Sequence, residues 1–181
     1  MSRPRRRPTP ALDRLTTGEN GDLLGKLLES HPELTAEVEC LALARVAAVD
    51  TDEVAEAIEW ALRDADADQL AHRAGRVRGR GYVHENEAAS EILEELLQPE
   101  LADLSRRAAL GLHDGARQMA LGLLRGLARC QHNVEDGTVL AYAGPDVTGD
   151  LAWYVRDTLA KAGVDLPDDM LEDLPHDRDD P

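Results

Sequence analysis

The feature that most constrains this chain is a helical spacing of apolar residues, which recurs in almost every segment between its two charged ends. Apolar residues return every three or four positions from about residue 11 to residue 174. This spacing is typical of amphipathic helices that bury one face. The sequence therefore predicts a single all-α domain over 11–174, with about seven or eight helices packed as antiparallel hairpins.

Turn and cap residues indicate where these helices begin and end. Pro32 is expected to open a helix whose apolar second half makes it central. Asp50, with Glu53 three residues later, resembles a capping box at the start of the next helix. Pro99 is expected to end one helix and begin another. The predicted helices cover about 22–29, 32–49, 50–64, 66–74, 86–98, 99–112, 114–130 and 147–162.

Two segments depart from this helical pattern. The stretch RVRGRG, at 76–81, breaks the spacing and predicts a loop between helices. The stretch GTVLAYA, at 137–143, is bounded by glycine and is the one candidate for a short extended segment.

The two ends of the chain carry opposite charges. Residues 1–10 contain four arginines among three prolines, and 175–181 is acidic with little apolar surface. Such segments cannot pack as helices or bury a core. We expect a flexible basic tail at the start and a flexible acidic tail at the end.

Composition narrows the setting and the partners. Two cysteines fit a reducing compartment, no apolar run is long enough to cross a bilayer, and the N-terminal segment lacks the apolar core of a signal peptide. We therefore expect a cytoplasmic protein with no membrane partner. Its preference for Arg over Lys is typical of a high-GC bacterial genome. The net charge of −16 disfavours binding to nucleic acid.

Two of the predicted helices resemble one known family. In DGARQMALGLLRGL, from Asp114, the spacing is similar to the second helix of a HEAT repeat, and DEVAEAIEWAL, from Asp52, looks similar, although Ala116 and Ala55 depart from the family's usual residues. The resemblance implies hairpins stacked into a solenoid that binds macromolecules. An irregular helical bundle remains the alternative. The residues that carry the resemblance are Arg117, Ala120, Leu123, Leu124, Leu127, Val54, Ile58, Ala61 and Leu62.

An arginine-rich loop is the strongest candidate for binding a partner. Guanidinium groups on a glycine-rich backbone can fork onto phosphates or carboxylates, and a tyrosine can stack on a base. The alternative is a solvated loop whose arginines pair with the protein's own carboxylates. The candidate residues are Arg73, Arg76, Arg78, Arg80 and Tyr82.

Trp60 is the second candidate for contact with a partner. At 100° per residue it lies well away from the apolar stripe of its helix and falls between Glu53, Glu56 and Arg63. Such a tryptophan either packs under a neighbouring element or is exposed as an anchor for a partner. Packing is the interpretation that we favour from the sequence.

Small residues on the helix at 114–130 predict a close contact. Gly115, Gly122 and Gly126 fall on one side of this helix. Glycine destabilises a helix interior, so this grouping indicates that another helix approaches there. Cys130 continues the apolar stripe and is expected to be a buried small hydrophobe.

No catalytic, nucleotide-binding or metal-binding motif is evident, and we predict no cofactor. The nearest group of potential ligands, Cys130, His132, Glu135 and Asp136, has no zinc-site spacing. The leading hypothesis is therefore an adaptor or regulator that binds another protein, not an enzyme.

Two alternatives and two questions remain open. One alternative is an enzyme or small-ligand protein whose site draws on the dispersed histidines 72, 84, 113 and 132 with nearby acids. The other is an acidic decoy of nucleic acid or of a ligand for a basic surface. The sequence does not identify the partner or the oligomeric state.

Overall fold

The computed structural model describes residues 11–77, 79, 81–167 and 170. The chain divides into two compact units, Met1–Arg45 and Val46–Pro181. The expected tails, 1–10 and 175–181, lie outside the described residues. Each unit is considered by itself below.

The first unit contains α1 (Thr17–Ser30), a 3-10 turn (Pro32–Leu34) and most of α2 (Thr35–Ala47). Thr16 caps α1: its hydroxyl accepts from the Glu19 amide at 3.3 Å, and the Glu19 carboxylate accepts from the Thr16 amide at 2.8 Å. This capping box starts α1 five residues earlier than the sequence predicted, because Thr16 and Glu19 satisfy the free amides of the first turn.

The expectation that α2 is central is wrong. No residue of α2 is buried, and Leu41 is 64% exposed. Alanines supply much of the apolar character of this helix, and each offers little area to bury. A helix that is apolar on all sides therefore need not be a core helix.

The second unit holds the remaining helices and one hairpin. The described residues form eight α-helices and a two-stranded sheet in all, which confirms the all-α prediction. None of the helices in the described residues is both long and apolar enough to cross a membrane. The elements of this unit are α3 (Thr51–Arg63), α4 (Ala67–Arg73), β1 (Gly75–Val77), β2 (Gly81–Val83), α5 (Glu85–Ala109), α6 (His113–Cys130), α7 (Val139–Ala143) and α8 (Val147–Lys161).

The core of this unit forms around α6, which packs against α3, α5 and α8. Glycines let α3 approach closely. A Cβ atom at Gly122 would lie 2.7 Å from the Cβ of Val54. One at Gly126 would lie 2.6 Å from the carbonyl oxygen of Ala55. The predicted close approach is confirmed at these two glycines, where the absence of a side chain makes room for α3.

Pro99 does not separate two helices, because α5 runs without a break from Glu85 to Ala109 with the proline inside. A proline inside a helix removes one backbone hydrogen bond and normally bends or ends the helix. Leu97, Leu101 and Leu104 are buried on either side of Pro99. Burial of these side chains keeps both halves of α5 on the same core and outweighs the local preference.

Two predictions about extended structure are also wrong. The segment around RVRGRG forms strands β1 and β2, whose Gly75 and Gly81 have positive φ angles that other residues rarely adopt. The segment GTVLAYA contains α7, which begins where the Thr138 hydroxyl accepts from the Ala141 amide at 3.3 Å. A single cap and the burial of Val139 are enough to make this short segment helical.

The HEAT-repeat resemblance of α3 and α6 stays a prediction. These two helices pack directly on each other. The helices range from five to 25 residues, and a repeated hairpin of the solenoid kind is not seen in the part of the chain that the structure describes.

Candidate interaction surfaces

The orientation of α3 is set by its N-terminal cap and by the side chains that it buries in the core. The Asp50 carboxylate accepts from the amides of Asp52 and Glu53 at 3.0 and 3.1 Å, which confirms Asp50 as the helix cap. The return bond from the Asp50 amide to the Glu53 carboxylate, which would complete the predicted capping box, is not found in the described residues. Ile58 and Leu62 are buried against the core. The side chains on the opposite side of this helix therefore face away from the core.

Trp60 lies on that outer face and is 68% exposed. Its predicted position off the apolar stripe is confirmed, but the packing that the sequence favoured is wrong. Among the described residues no neighbouring element covers the indole, and the groove of about 610 Å³ that it borders is open and shallow, because its lining residues all belong to α3. We call this region the α3 groove. It is lined by Glu53, Glu56, Ala57, Glu59, Trp60 and Arg63.

Arg63, at one end of the α3 groove, belongs to the scaffold. Its Nη2 donates to the carbonyl oxygens of Arg129 and His132 at 2.8 and 3.1 Å, and its Nη1 donates to that of Asn133 at 3.1 Å. The last carbonyls of a helix have no partner within the helix. Arg63 therefore satisfies the C-terminal end of α6 and ties α3 to it.

The charge of the α3 groove that remains available is negative. Glu59 is used within the fold, because it accepts from Arg63 Nε at 3.1 Å and lies 3.6 Å from Arg129. Glu53 and Glu56 are exposed, and neither has an ion pair within the described residues. The exposed indole is thus accompanied by two solvent-exposed carboxylates that have no counter-charge within the described residues.

The hairpin of β1 and β2 forms a second exposed surface. Arg76 pairs directly with Tyr82 across the strands, so their side chains share one face, and Tyr82 is 68% exposed. Tyr82 also meets the His84 ring edge to face, with centroids 5.1 Å apart. Val83 is buried on the other face. The hairpin is therefore anchored through one face and presents aromatic and basic groups on the other.

Two of the four predicted arginines lie in the described residues, and their surroundings differ. Arg73 forks onto Glu95, with Nη1 and Nη2 at 2.7 and 2.8 Å from the two carboxylate oxygens. These hydrogen bonds lower the pKa of Glu95 and raise that of Arg73. Arg76 is exposed and has no ion pair in the part of the chain described. Arg78 and Arg80 lie outside the described residues.

The four histidines considered for a catalytic site are all exposed. His113 and His132 flank α6, whose 18 residues span about 27 Å. Across the described residues, no group of three or more His, Cys, Asp or Glu side chains is placed to hold a metal ion. Nothing in this arrangement brings the histidines to a shared site.

Cys130 is buried, as predicted for a small hydrophobe. Burial raises the pKa of its thiol to about 11. A thiol with such a pKa stays protonated at neutral pH and is a poor nucleophile. Its Sγ lies 3.9 Å from the carbonyl oxygen of Glu59, where it makes at most a weak hydrogen bond.

Two residues that contribute to the surface are missing from the predicted binding residues. Arg63 pairs with α6 through contacts between residues 66 to 70 positions apart, which helical spacing does not predict. Trp153 on α8 is 59% exposed and meets Tyr154 edge to face. Its signal was available, because it falls off the stripe of Leu151, Val155 and Leu159.

No protein-family model, no curated protein and no solved structure matches this chain.

Proposed function

We propose that the protein is an adaptor or regulator that binds another protein through the α3 groove. The observation that carries the proposal is the 68% exposure of Trp60 beside an open groove. Tryptophan is among the residues that most often dominate the binding energy of protein interfaces. Covering a large apolar side chain contributes about 1.5–3 kcal/mol, which would stabilise a complex in which a partner covers Trp60.

The rigidity of α3 supports this proposal. Gly122 and Gly126 of α6 hold the inner side of α3 close, while Arg63 joins its end to the end of α6. A surface that is already ordered loses less conformational entropy when a partner binds. The resemblance of α3 and α6 to HEAT-repeat helices agrees with a binding role, although a fold alone does not establish one.

The two alternative functions have weaker support. An enzyme site built from dispersed histidines would need them to converge, and all four are exposed without forming a cluster in the described residues. A decoy would need carboxylates free to face a basic surface. Several carboxylates are instead engaged by the protein's own arginines, among them Glu59, Glu95, Asp103 and Asp114.

Affinity capture from a lysate of the source organism tests the proposal when wild type is compared with two single variants. Trp60→Ala removes the indole of the α3 groove. Trp153→Ala removes the other exposed indole and serves as the matched control. We expect a protein that wild type and Trp153→Ala retain and that Trp60→Ala loses. Partners that all three proteins retain equally would contradict a binding role for the α3 groove.

A further inference from the structure

The chemistry of the α3 groove restricts what can occupy it. Glu53, Ala57 and Trp60 are spaced by four and three residues, so they follow one another along the same helix face. Ala57 has a short side chain and leaves space between the carboxylate and the indole. The groove therefore combines an aromatic surface, an open floor and negative charge over about two turns of helix.

An apolar partner segment does not suit this surface. Covering Glu53 and Glu56 with apolar groups would remove water from two carboxylates without supplying a counter-charge, which is unfavourable. An acidic segment would add repulsion, since the whole chain already carries a net charge of −16. Neither kind of occupant supplies a positive charge to the carboxylates that border Trp60.

A cationic segment satisfies each element of the groove. A guanidinium group stacks on an indole face, and its remaining N–H groups fork onto carboxylates. Arg63 does not compete for these carboxylates, because it is engaged by Glu59 and by the end of α6. The salt bridge from Asp52, the residue before Glu53, to Arg125 is long at 3.7 Å.

We infer that the α3 groove binds an arginine-bearing segment of the partner, whose guanidinium groups stack on Trp60 and pair with Glu53 and Glu56. This inference rests on the proposed function and specifies the chemistry of the partner. The charge complementarity and the exposed indole together select the arginine side chain over a purely apolar anchor.

The test uses full-length protein carrying Trp153→Phe, which leaves Trp60 as its single tryptophan. The probe is a short synthetic peptide with three arginines separated by Gly and Ser. Its control is the same peptide with citrulline, a neutral residue of similar shape, at each arginine. We expect the arginine peptide to change Trp60 fluorescence saturably, and binding to weaken as salt rises from about 0.05 M to about 0.5 M. The citrulline peptide should leave the fluorescence unchanged.

Charge variants separate the local groove from the overall charge. Glu53→Gln with Glu56→Gln should weaken binding about fivefold to tenfold, as expected for the loss of two partly exposed ion pairs. Glu85→Gln with Glu87→Gln removes the same charge from exposed positions on α5 and should leave binding within about twofold. Equal weakening by both pairs, equal binding of the citrulline peptide or no saturable change would overturn the inference.

These outcomes remain separate from those of the capture experiment. A partner that depends on Trp60 while the arginine peptide fails to bind would leave the proposed function in place and remove the arginine inference. If Trp60→Ala captures the same partners as wild type, the proposed function itself is contradicted.

Discussion

At the scale of single residues, the distance between α3 and α6 depends on two glycines. The sequence showed this, because Gly122 and Gly126 fall on one side of a helix that has no other reason to contain them. What it could not show was the partner helix, since Val54 and Ala55 are about 70 residues away along the chain. Periodicity places residues on faces, but it does not pair the faces.

Gly126→Ala should destabilise the fold by about 1–3 kcal/mol, because the new Cβ would collide with Ile58 and with the carbonyl oxygen of Ala55. The control is Gly149→Ala on α8, where a Cβ meets nothing within 4 Å. That variant should gain up to about 1 kcal/mol, since alanine favours helix over glycine. Urea unfolding measures both changes. Similar effects of the two substitutions would contradict the close contact of α3 and α6.

Trp60 shows where reasoning from single residues stops. Its position off the apolar stripe follows from helical geometry, but whether a neighbour covers it depends on elements far along the chain. Tryptophan side chains are mostly buried in folded proteins, so the sequence favoured packing under a neighbouring element. Trp60 is exposed because α4, the next helix along the chain, packs against α5 and leaves the indole uncovered.

At the scale of elements, α5 shows tertiary packing outweighing local preference. A proline normally marks a helix boundary, so the sequence predicted that one helix ends and another begins at Pro99. The helix continues because apolar residues on both sides of Pro99 are buried in one core. Keeping a proline inside the helix lowers the free energy of unfolding, and replacing Pro99 should raise it again.

Pro99→Ala should stabilise the protein by about 1–3 kcal/mol, because it restores an N–H donor inside a continuous helix and removes a steric clash. Pro99 is exposed, so the change leaves the core intact. The control is Gln98→Ala at the neighbouring exposed position, expected within about 0.5 kcal/mol of wild type. A Pro99→Ala variant no more stable than the control would instead fit a helix that begins at Pro99.

The contact between α4 and α5 should depend on pH through the pair of Arg73 and Glu95. The folded pKa of Glu95 is lowered from its usual 4.5, so the pair stabilises fully above pH 4.5 and loses this contribution as pH falls through the folded pKa. The midpoint of urea unfolding should therefore differ between wild type and Glu95→Gln at neutral pH and converge in acid. Glu87→Gln, at an exposed position, provides the comparison. A difference that stays constant with pH would contradict the pairing.

At the scale of the whole molecule, composition and periodicity were sufficient to predict an all-α protein. The sequence indicated both an arginine-rich loop and Trp60 as candidates for binding, and in the fold Arg73 pairs with Glu95 while Trp60 is exposed on α3. Long-range pairing decides which charges remain available to a partner.

The central claim is that a partner covers Trp60. The most direct measurement is oxidative footprinting of the two tryptophans, with and without the captured partner. Trp60 and Trp153 are exposed to similar extents, 68% and 59%, so each serves as the reference for the other. We predict that the partner protects Trp60 from oxidation and leaves Trp153 reactive. Protection of Trp153 with Trp60 still fully reactive would contradict the account.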